Sequence, residues 1–334
     1  MLPKIEFEVE MSTASPLPPN FLLGHYEVHS VLGSGGFGVT YQALDRKLQR
    51  FVAIKEYFPR GAAMRNANGG VQVASAAQEV LFRWGLDRFV EEGQTLARFN
   101  HPNIVRVTHI FSANGTCYLV LDFVDGNSLQ KWIADAAKPP SQDEIDGFTS
   151  MLSSALEAVH RNEILHRDIA PKNILLKHDN TPVLIDFGSA RQVVYARSAA
   201  ITAIITPRYA PHEQYITSGQ GQGPWTDIYS LAATLYEVVT KSPPPEAPGR
   251  TLGADPCVPA AKAAKGQYRR SFLDAIDWGL KPYPCDRPQS VEVWTKELLN
   301  GMRDEARMIS LLTEPLPKKN APRPLMDRIR NVFR

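Results

Sequence analysis

His166, Arg167, Asp168, Lys172 and Asn173 fall within eight positions, walled by Leu165 on one side and by Ile174, Leu175 and Leu176 on the other. Charged groups are rarely buried without partners, so an acid, basic side chains and an amide pressed between apolar runs need a reason to be together. These are the materials of proton transfer and of charge neutralisation. A second acid, Asp186 of "IDFGSA", follows the apolar run "PVLI". Upstream, Lys55 closes "VAIK", and Gly33, Gly35 and Gly38 of "LGSGGFGVTY" stand in G-x-G-x-x-G spacing.

Alone, the glycines say little: at ~7% glycine usage, three at that spacing arise by chance in roughly one chain in ten of this length. A dinucleotide-binding fold would need a strand before them and a helix straight after. Here the strand-like "VTYQAL" follows, so the loop joins two antiparallel strands. The four fixed letters of "HRD....N" are far more specific, appearing in roughly one chain in several hundred at ~5% usage per residue. The ordered set GxGxxG, VAIK, HRDxxxxN and DFG resembles the eukaryotic-like protein kinase family. The resemblance covers about residues 19–300, and "GGFGVTY", "VAIKEYFP" and "APHEQY" look most like the bacterial, Hanks-type serine/threonine members.

The resemblance implies an α+β, bilobal protein-kinase fold with a small β-rich N-lobe and a larger helical C-lobe. It also implies a role for each motif residue. Backbone N–H groups over Gly33, Ser34, Gly35, Gly36, Phe37 and Gly38 would approach the phosphates of ATP. Lys55 would touch the α- and β-phosphates, steered by a carboxylate. Glu91 and Glu92 are both at hand, and counting back about ten residues from Pro102 of "HPNIV", as the family does, selects Glu92. Thr40, Ala53 and Leu175 would form the adenine slot. The Asp122 carbonyl and the Val124 N–H would face the base, with Leu121 as gatekeeper. Asn173 and Asp186 would hold Mg²⁺, or Mn²⁺ in its place, through oxygen. Asp168 would accept the substrate hydroxyl's proton. His166 would stack beneath Phe187, Asp227 would hold the HRD backbone, and Thr206 would face Asp168. Glu213, closing a Pro-His-Glu that replaces the family's Ala-Pro-Glu, would pair with Arg287 of "CDRPQS".

The chain departs from the family at several points. Serine/threonine members usually carry a lysine two residues after the catalytic Asp, where this chain has Ala170. Lys172 stands four residues after it, as the base of tyrosine-directed members does, and is expected to supply the missing cation. Arg167 before Asp168 marks kinases whose activation segment is ordered by phosphorylation. By position Thr202 is the first acceptor, then Ser198, then Tyr195. Ile205 replaces the usual glycine before Thr206-Pro207, and Ala232 another in "DIYSLAA". Lys55 and Glu92 lie 37 positions apart, against about twenty in the family, so residues 58–80 look inserted.

The elements that must position these groups follow from periodicity. "HYEVHSVLG", "GVTYQAL" and "FVAIKEYF" alternate as three successive strands. Asn68-Gly69 and Asn114-Gly115 mark hairpins. "EVLFRWGLDRFVEEGQTLARF" reads as helix from about Leu86. "SQDEIDGFTSMLSSALEAVH" opens on a capping box of Ser141 and Glu144. "TDIYSLAATLYEVVT" and "RSFLDAIDWGL" are further helices. We expect a lead-in at 1–18 outside the fold, an N-lobe at 19–124, a C-lobe at 125–312 and a basic tail at 313–334.

The chain has 334 residues, 37 basic against 35 acidic, so bulk charge argues for no nucleic-acid partner. It has no paired cysteine spacing, no export signal and no apolar run long enough to cross a bilayer. The expected setting is cytoplasmic. Residues 318–334 hold six basic residues and one acid, net +5, with Leu325, Ile329, Val332 and Phe333 on one helical face. Such a tail fits an anionic membrane surface, a lobe-packed segment or disorder. The reading is a Mg-ATP-dependent kinase acting on Ser/Thr hydroxyls of proteins and autophosphorylating its activation segment. The alternatives are a nucleotide-binding pseudokinase scaffold, a dual-specificity kinase and a small-molecule phosphotransferase.

Overall fold

The structure, a computed structural model, describes residues 16–187, 206–216, 221–251 and 253–301. Alternating apolar positions build β1 (Leu22–Leu23), β2 (Tyr26–Ser34), β3 (Gly38–Asp45) and β4 (Arg50–Tyr57) into an antiparallel run. β5 (Ala63–Arg65) and β6 (Val71–Val73) form a separate hairpin. After α1 (Glu79–Leu96), β7 (Val107–Ala113) and β8 (Thr116–Asp122) complete a six-stranded sheet in the order β1-β2-β3-β4-β8-β7. Asn114 and Gly115 both take left-handed backbone, φ 52° and 77°, as the tight turn between β7 and β8 requires. Gly115 has a second constraint: a Cβ there would sit 2.4 Å from the Val71 carbonyl of the β5–β6 hairpin.

One core of this lobe gathers Val28, Tyr41, Val52, Ile54 and Tyr118, and a second gathers Tyr57, Phe58, Phe82, Phe89 and Leu119 beneath α1. Leu17 belongs to the first core and donates its N–H to Tyr41 Oη at 3.1 Å. The end of the lead-in therefore lies inside the fold, against the expectation that residues up to 18 stand apart. Helix α1 begins at Glu79 and not near Leu86. A short turn at Ala76–Gln78 feeds it, an ion pair from Glu79 to Arg83 spans its first turn, and Phe82 is buried. Val80 faces solvent, which breaks the apolar spacing that would have marked the earlier start.

The second lobe opens with β9 (Gly126–Ser128), α2 (Leu129–Asp135) and α3 (Gln142–His160), whose N-terminus carries the Ser141–Glu144 capping box. β10 (Ile174–Lys177) lies between β9 and β11 (Pro182–Leu184) in a three-stranded sheet. Helix α4 (Pro224–Thr240) is buried along nearly its whole length, and α5 (Arg270–Gly279) and α6 (Val291–Leu298) pack around it. Among the described residues no helix is long and apolar enough to cross a membrane. Tyr195, Ser198, Thr202, Ile205 and the basic tail lie outside the described residues.

Candidate active site

A cleft of about 500 Å³ separates the six-stranded sheet from β10. Thr40, Ala53, Leu121, Asp122, Val124 and Leu175, the expected adenine contacts, all line it. So do Leu32, Val105 and Ile185, apolar residues that sequence reasoning missed although Ile185 directly precedes Asp186. Of the glycine loop only Gly33 lines the cleft. Ser34 Oγ accepts from Arg60 Nη2 at 3.1 Å, the Gly36 carbonyl from the Arg60 N–H at 2.8 Å, and the Phe37 carbonyl from the Phe58 N–H at 2.9 Å. A Cβ on Gly33, Gly35 or Gly36 would meet nothing, whereas one on Gly38 would stand 2.1 Å from the Glu56 carbonyl. The protein's own packing thus demands glycine at position 38 of these four, where β3 and β4 approach closely.

Lys55 projects from β4 into this cleft. Its Nζ lies 2.6 Å from Asp186 Oδ1 and 3.4 Å from Glu92 Oε1. Glu91 turns away to pair with Arg88, so the count that favoured Glu92 agrees with the geometry. Glu92 reaches Lys55 because α1 lies close on β8 at its neighbour Gly93, where a Cβ would be 2.3 Å from Leu119 Cδ2.

The polar stretch from His166 to Asn173 is held from below. Asp227 accepts from the His166 N–H at 2.9 Å, the Arg167 N–H at 2.7 Å and His160 Nε2 at 2.8 Å. Burial pushes the Asp227 carboxyl up, but the hydrogen bonds from His160 and from the Arg167 N–H outweigh it and hold it below the usual carboxylate range. Arg167 sits in left-handed backbone, φ 66°, a conformation that costs a non-glycine residue on the order of 1 kcal/mol and needs such support. Gln214 Nε2 adds a bond to the Arg167 carbonyl at 2.8 Å. His166 is fully buried, which lowers its pKa and keeps its ring neutral. That ring lies 4.3 Å from Phe187, as expected.

Asp168 accepts from Thr206 Oγ1 at 2.5 Å and from Asn173 Nδ2 at 2.7 Å. Asn173 Nδ2 also bonds the Asp168 carbonyl at 2.8 Å, which turns the amide oxygen away from Asp168. Asn173, Asp186 and Lys172 all line the cleft. Among the described residues no three His, Cys, Asp or Glu side chains gather to hold a metal by themselves. One carboxylate and one amide oxygen instead suit a hard divalent cation that takes its remaining ligands from phosphates and water.

Glu213 and Arg287 form a buried two-pronged pair at 2.7 and 3.2 Å. Thr226 Oγ1 donates to Glu213 Oε1 at 3.0 Å, and Arg287 also serves the Lys281 and Pro282 carbonyls. Tyr209 donates to Glu237, and both groups are shifted upward by burial first. Neither Thr226 nor His160 was foreseen as a partner, since each meets an acid that lies far from it in sequence or on another turn. The arrangement offers a cation and two oxygen donors for a phosphorylated ligand, and a shielded carboxylate beside them for a hydroxyl.

The family model described as a protein kinase domain matches residues 26–299. The chain is 32% identical over 232 residues to the serine/threonine-protein kinase PknB of Mycobacterium leprae, a match covering 68% of this chain and 34% of that protein. It thus spans about a third of the length of the curated relatives it matches. Among solved structures, the apo form of PpkA-294 is similar with a TM-score of 0.78 and 35% identity, over 85% of this chain and 100% of that one. Rad53 residues 1–466 in complex with AMP-PNP share the fold at a TM-score of 0.58, with 20% identity over 83% of this chain and 64% of that one.

Proposed function

The chain belongs to the protein kinase domain family, and from that membership we propose that it transfers the γ-phosphate of ATP to serine or threonine hydroxyls of proteins. The observation that carries the proposal is the convergence of Lys55, Glu92 and Asp186 on one cleft, with Asp168 and Asn173 bonded to each other at its edge. The adenine ring enters between Ala53, Thr40 and Leu175, with the Asp122 carbonyl and Val124 N–H as its polar contacts and Leu121 behind it. Lys55, held by Glu92, holds the α- and β-phosphates. Asp186 and Asn173 would hold Mg²⁺, or Mn²⁺ in its place, which would supply charge neutralisation.

Asp168 orients the incoming hydroxyl and receives its proton, while Thr206 fixes the carboxylate from the other side. Little covalent work falls to the protein in such a transfer; positioning and charge stabilisation do most of it. Lys172 supplies the cation that Ala170 does not. Glu213 and Arg287 anchor the segment that presents the acceptor. Thr202, with Ser198 next, receives the activating phosphate, for which Arg167 is the partner. The setting is the cytoplasm, with an anionic membrane surface as the alternative for the basic tail.

The test is incubation of the full chain with γ-labelled ATP, Mg²⁺ and a protein acceptor, followed by phosphoamino-acid analysis. Phosphoserine or phosphothreonine is expected, together with loss of the label in Asp186→Asn. Equal label in both proteins would remove the enzyme reading, and phosphotyrosine alone would overturn the Ser/Thr assignment.

A further inference from the structure

Strand alternation sets Lys55 and Glu56 on opposite faces of β4, so what fixes one constrains the other through a single peptide unit. Glu56 is fully buried. Both its oxygens are engaged: Oε2 accepts from Tyr41 Oη at 2.7 Å and from Arg65 Nη2 at 2.6 Å, and Oε1 from Tyr118 Oη at 2.9 Å and from Arg65 Nη1 at 2.9 Å. Tyr41 and Tyr118 come from β3 and β8, the strands that flank β4. Arg65 comes from the hairpin β5–β6, within the segment that separates the Lys55 strand from the Glu92 helix.

That hairpin is itself fastened. Arg65 Nη1 also donates to the Gly69 carbonyl at 2.9 Å, and the guanidinium lies 4.6 Å over the Phe58 ring. The Val71 N–H bonds the Asn114 carbonyl at 2.6 Å, and Gly69 packs so close to Phe21 that a Cβ would be 2.6 Å from its ring. The same segment also reaches the glycine loop and the approach to α1. Arg60 bonds Ser34 and Gly36 of the glycine loop, and Gln78 Nε2, just before α1, bonds the Gly61 carbonyl at 2.6 Å.

We infer that Arg65 is a positioning residue for the nucleotide: through Glu56 it fixes the stretch of β4 from which Lys55 projects, and the inserted hairpin exists to deliver it. The inference rests on the kinase reading above. A guanidinium that serves both oxygens of one buried carboxylate cannot be replaced by a neutral side chain without leaving the acid unpaired. β4 would then shift to relieve it, carrying Lys55 with it.

The experiment measures the dissociation constant for Mg-ATP by calorimetry, and KM for ATP and for the protein acceptor, well below each variant's melting temperature. In Arg65→Met, the ATP dissociation constant and KM for ATP are expected to rise about tenfold while KM for the acceptor changes by less than about twofold. Glu56→Gln combined with Arg65→Met removes the unpaired charge and is expected to return ATP affinity to within about threefold of wild type. Should Arg65→Met fail to fold, Arg65→Lys is used, whose single ammonium serves the pair poorly and is expected to weaken ATP binding about threefold. Unchanged ATP affinity in whichever single variant is measured, or no recovery in the double variant, overturns the inference, whatever happens to the melting temperature. A wild-type chain that binds ATP but transfers nothing would fail the kinase reading instead, with Arg65 still judged on the ATP dissociation constant.

Discussion

If Lys172 supplies the cation that Ala170 does not, as proposed, its removal has a definite consequence. The residue is exposed, yet it lines the cleft beside Asn173 and Asp186. Two unit charges about 4 Å apart interact by ~1 kcal/mol in bulk water and ~4 kcal/mol at the effective dielectric of a protein surface. A cation on the wall of a cleft filled by nucleotide lies toward the upper end, at about 3 kcal/mol, which corresponds to a rate factor on the order of a hundred. Lys172→Ala is therefore expected to lower kcat about a hundredfold with KM for ATP changed by less than about threefold, since the contact strengthens as charge develops on the transferred group. Lys172→Arg should retain most activity. The assay is steady-state transfer at two ionic strengths, and the wild-type advantage should shrink in high salt because the side chain is partly solvated. A kcat for Lys172→Ala within about threefold of wild type would refute the reasoning and leave Ala170 uncompensated.

Other perturbations test other parts of the structure. Arg287→Ala strands Glu213 as a buried, unpaired acid and should cost about 3–5 kcal/mol, lowering the calorimetric melting temperature by roughly 10 °C. Replacing Glu213 and Arg287 together by apolar residues should recover most of that loss, and a single-variant cost below about 1 kcal/mol would show the pair to be dispensable. Gly38→Ala forces β3 and β4 apart at the Glu56 carbonyl and should lower the melting temperature by several degrees, unlike Gly36→Ala, whose added methyl meets open space. His166 and His101 are both held below their ordinary pKa, by burial first, so the unfolded chain binds more protons than the folded one as pH falls. Stability is then full above the unfolded value near 6.5 and declines below it by up to about 1.4 kcal/mol per pH unit per group. Melting curves at pH 7.5 and 5.5 check this; Asp227, whose folded pKa is depressed, adds its own loss only toward and below about pH 4. Chelation of divalent ions should abolish transfer, with activity regained on adding Mg²⁺ or Mn²⁺.

The residues proposed for the chemistry were legible because they stand at short, fixed spacing in the chain. Asp168 and Asn173 lie within one loop, Asp186 follows one strand, and the glycines form one turn. Elements with clean periodicity were legible for a similar reason: β2 to β4, the Ser141 capping box and the helix at Pro224–Thr240 all stand where the pattern put them. Contacts made across the chain left no such trace. Nothing in the spelling of "VAIKEYFP" tells that Glu56 will be buried against Arg65, or that Leu17 will join the sheet's core. In the glycine loop only Gly38 is demanded by the protein's own packing, a strand-to-strand contact that the motif spelling does not show. The start of α1 was misplaced because Val80 points outward and the ion pair that supports its first turn carries no apolar signal.

The central claim is that one cleft separates two tasks, nucleotide holding by Lys55 and Asp186 and hydroxyl activation by Asp168. Asp168→Asn removes the second task while leaving the first in place. Its Mg-ATP dissociation constant, measured by calorimetry, should stay within a few-fold of wild type while transfer to the acceptor falls by about 10²-fold or more. Transfer at near wild-type rate, or ATP binding lost in parallel with it, would contradict the account.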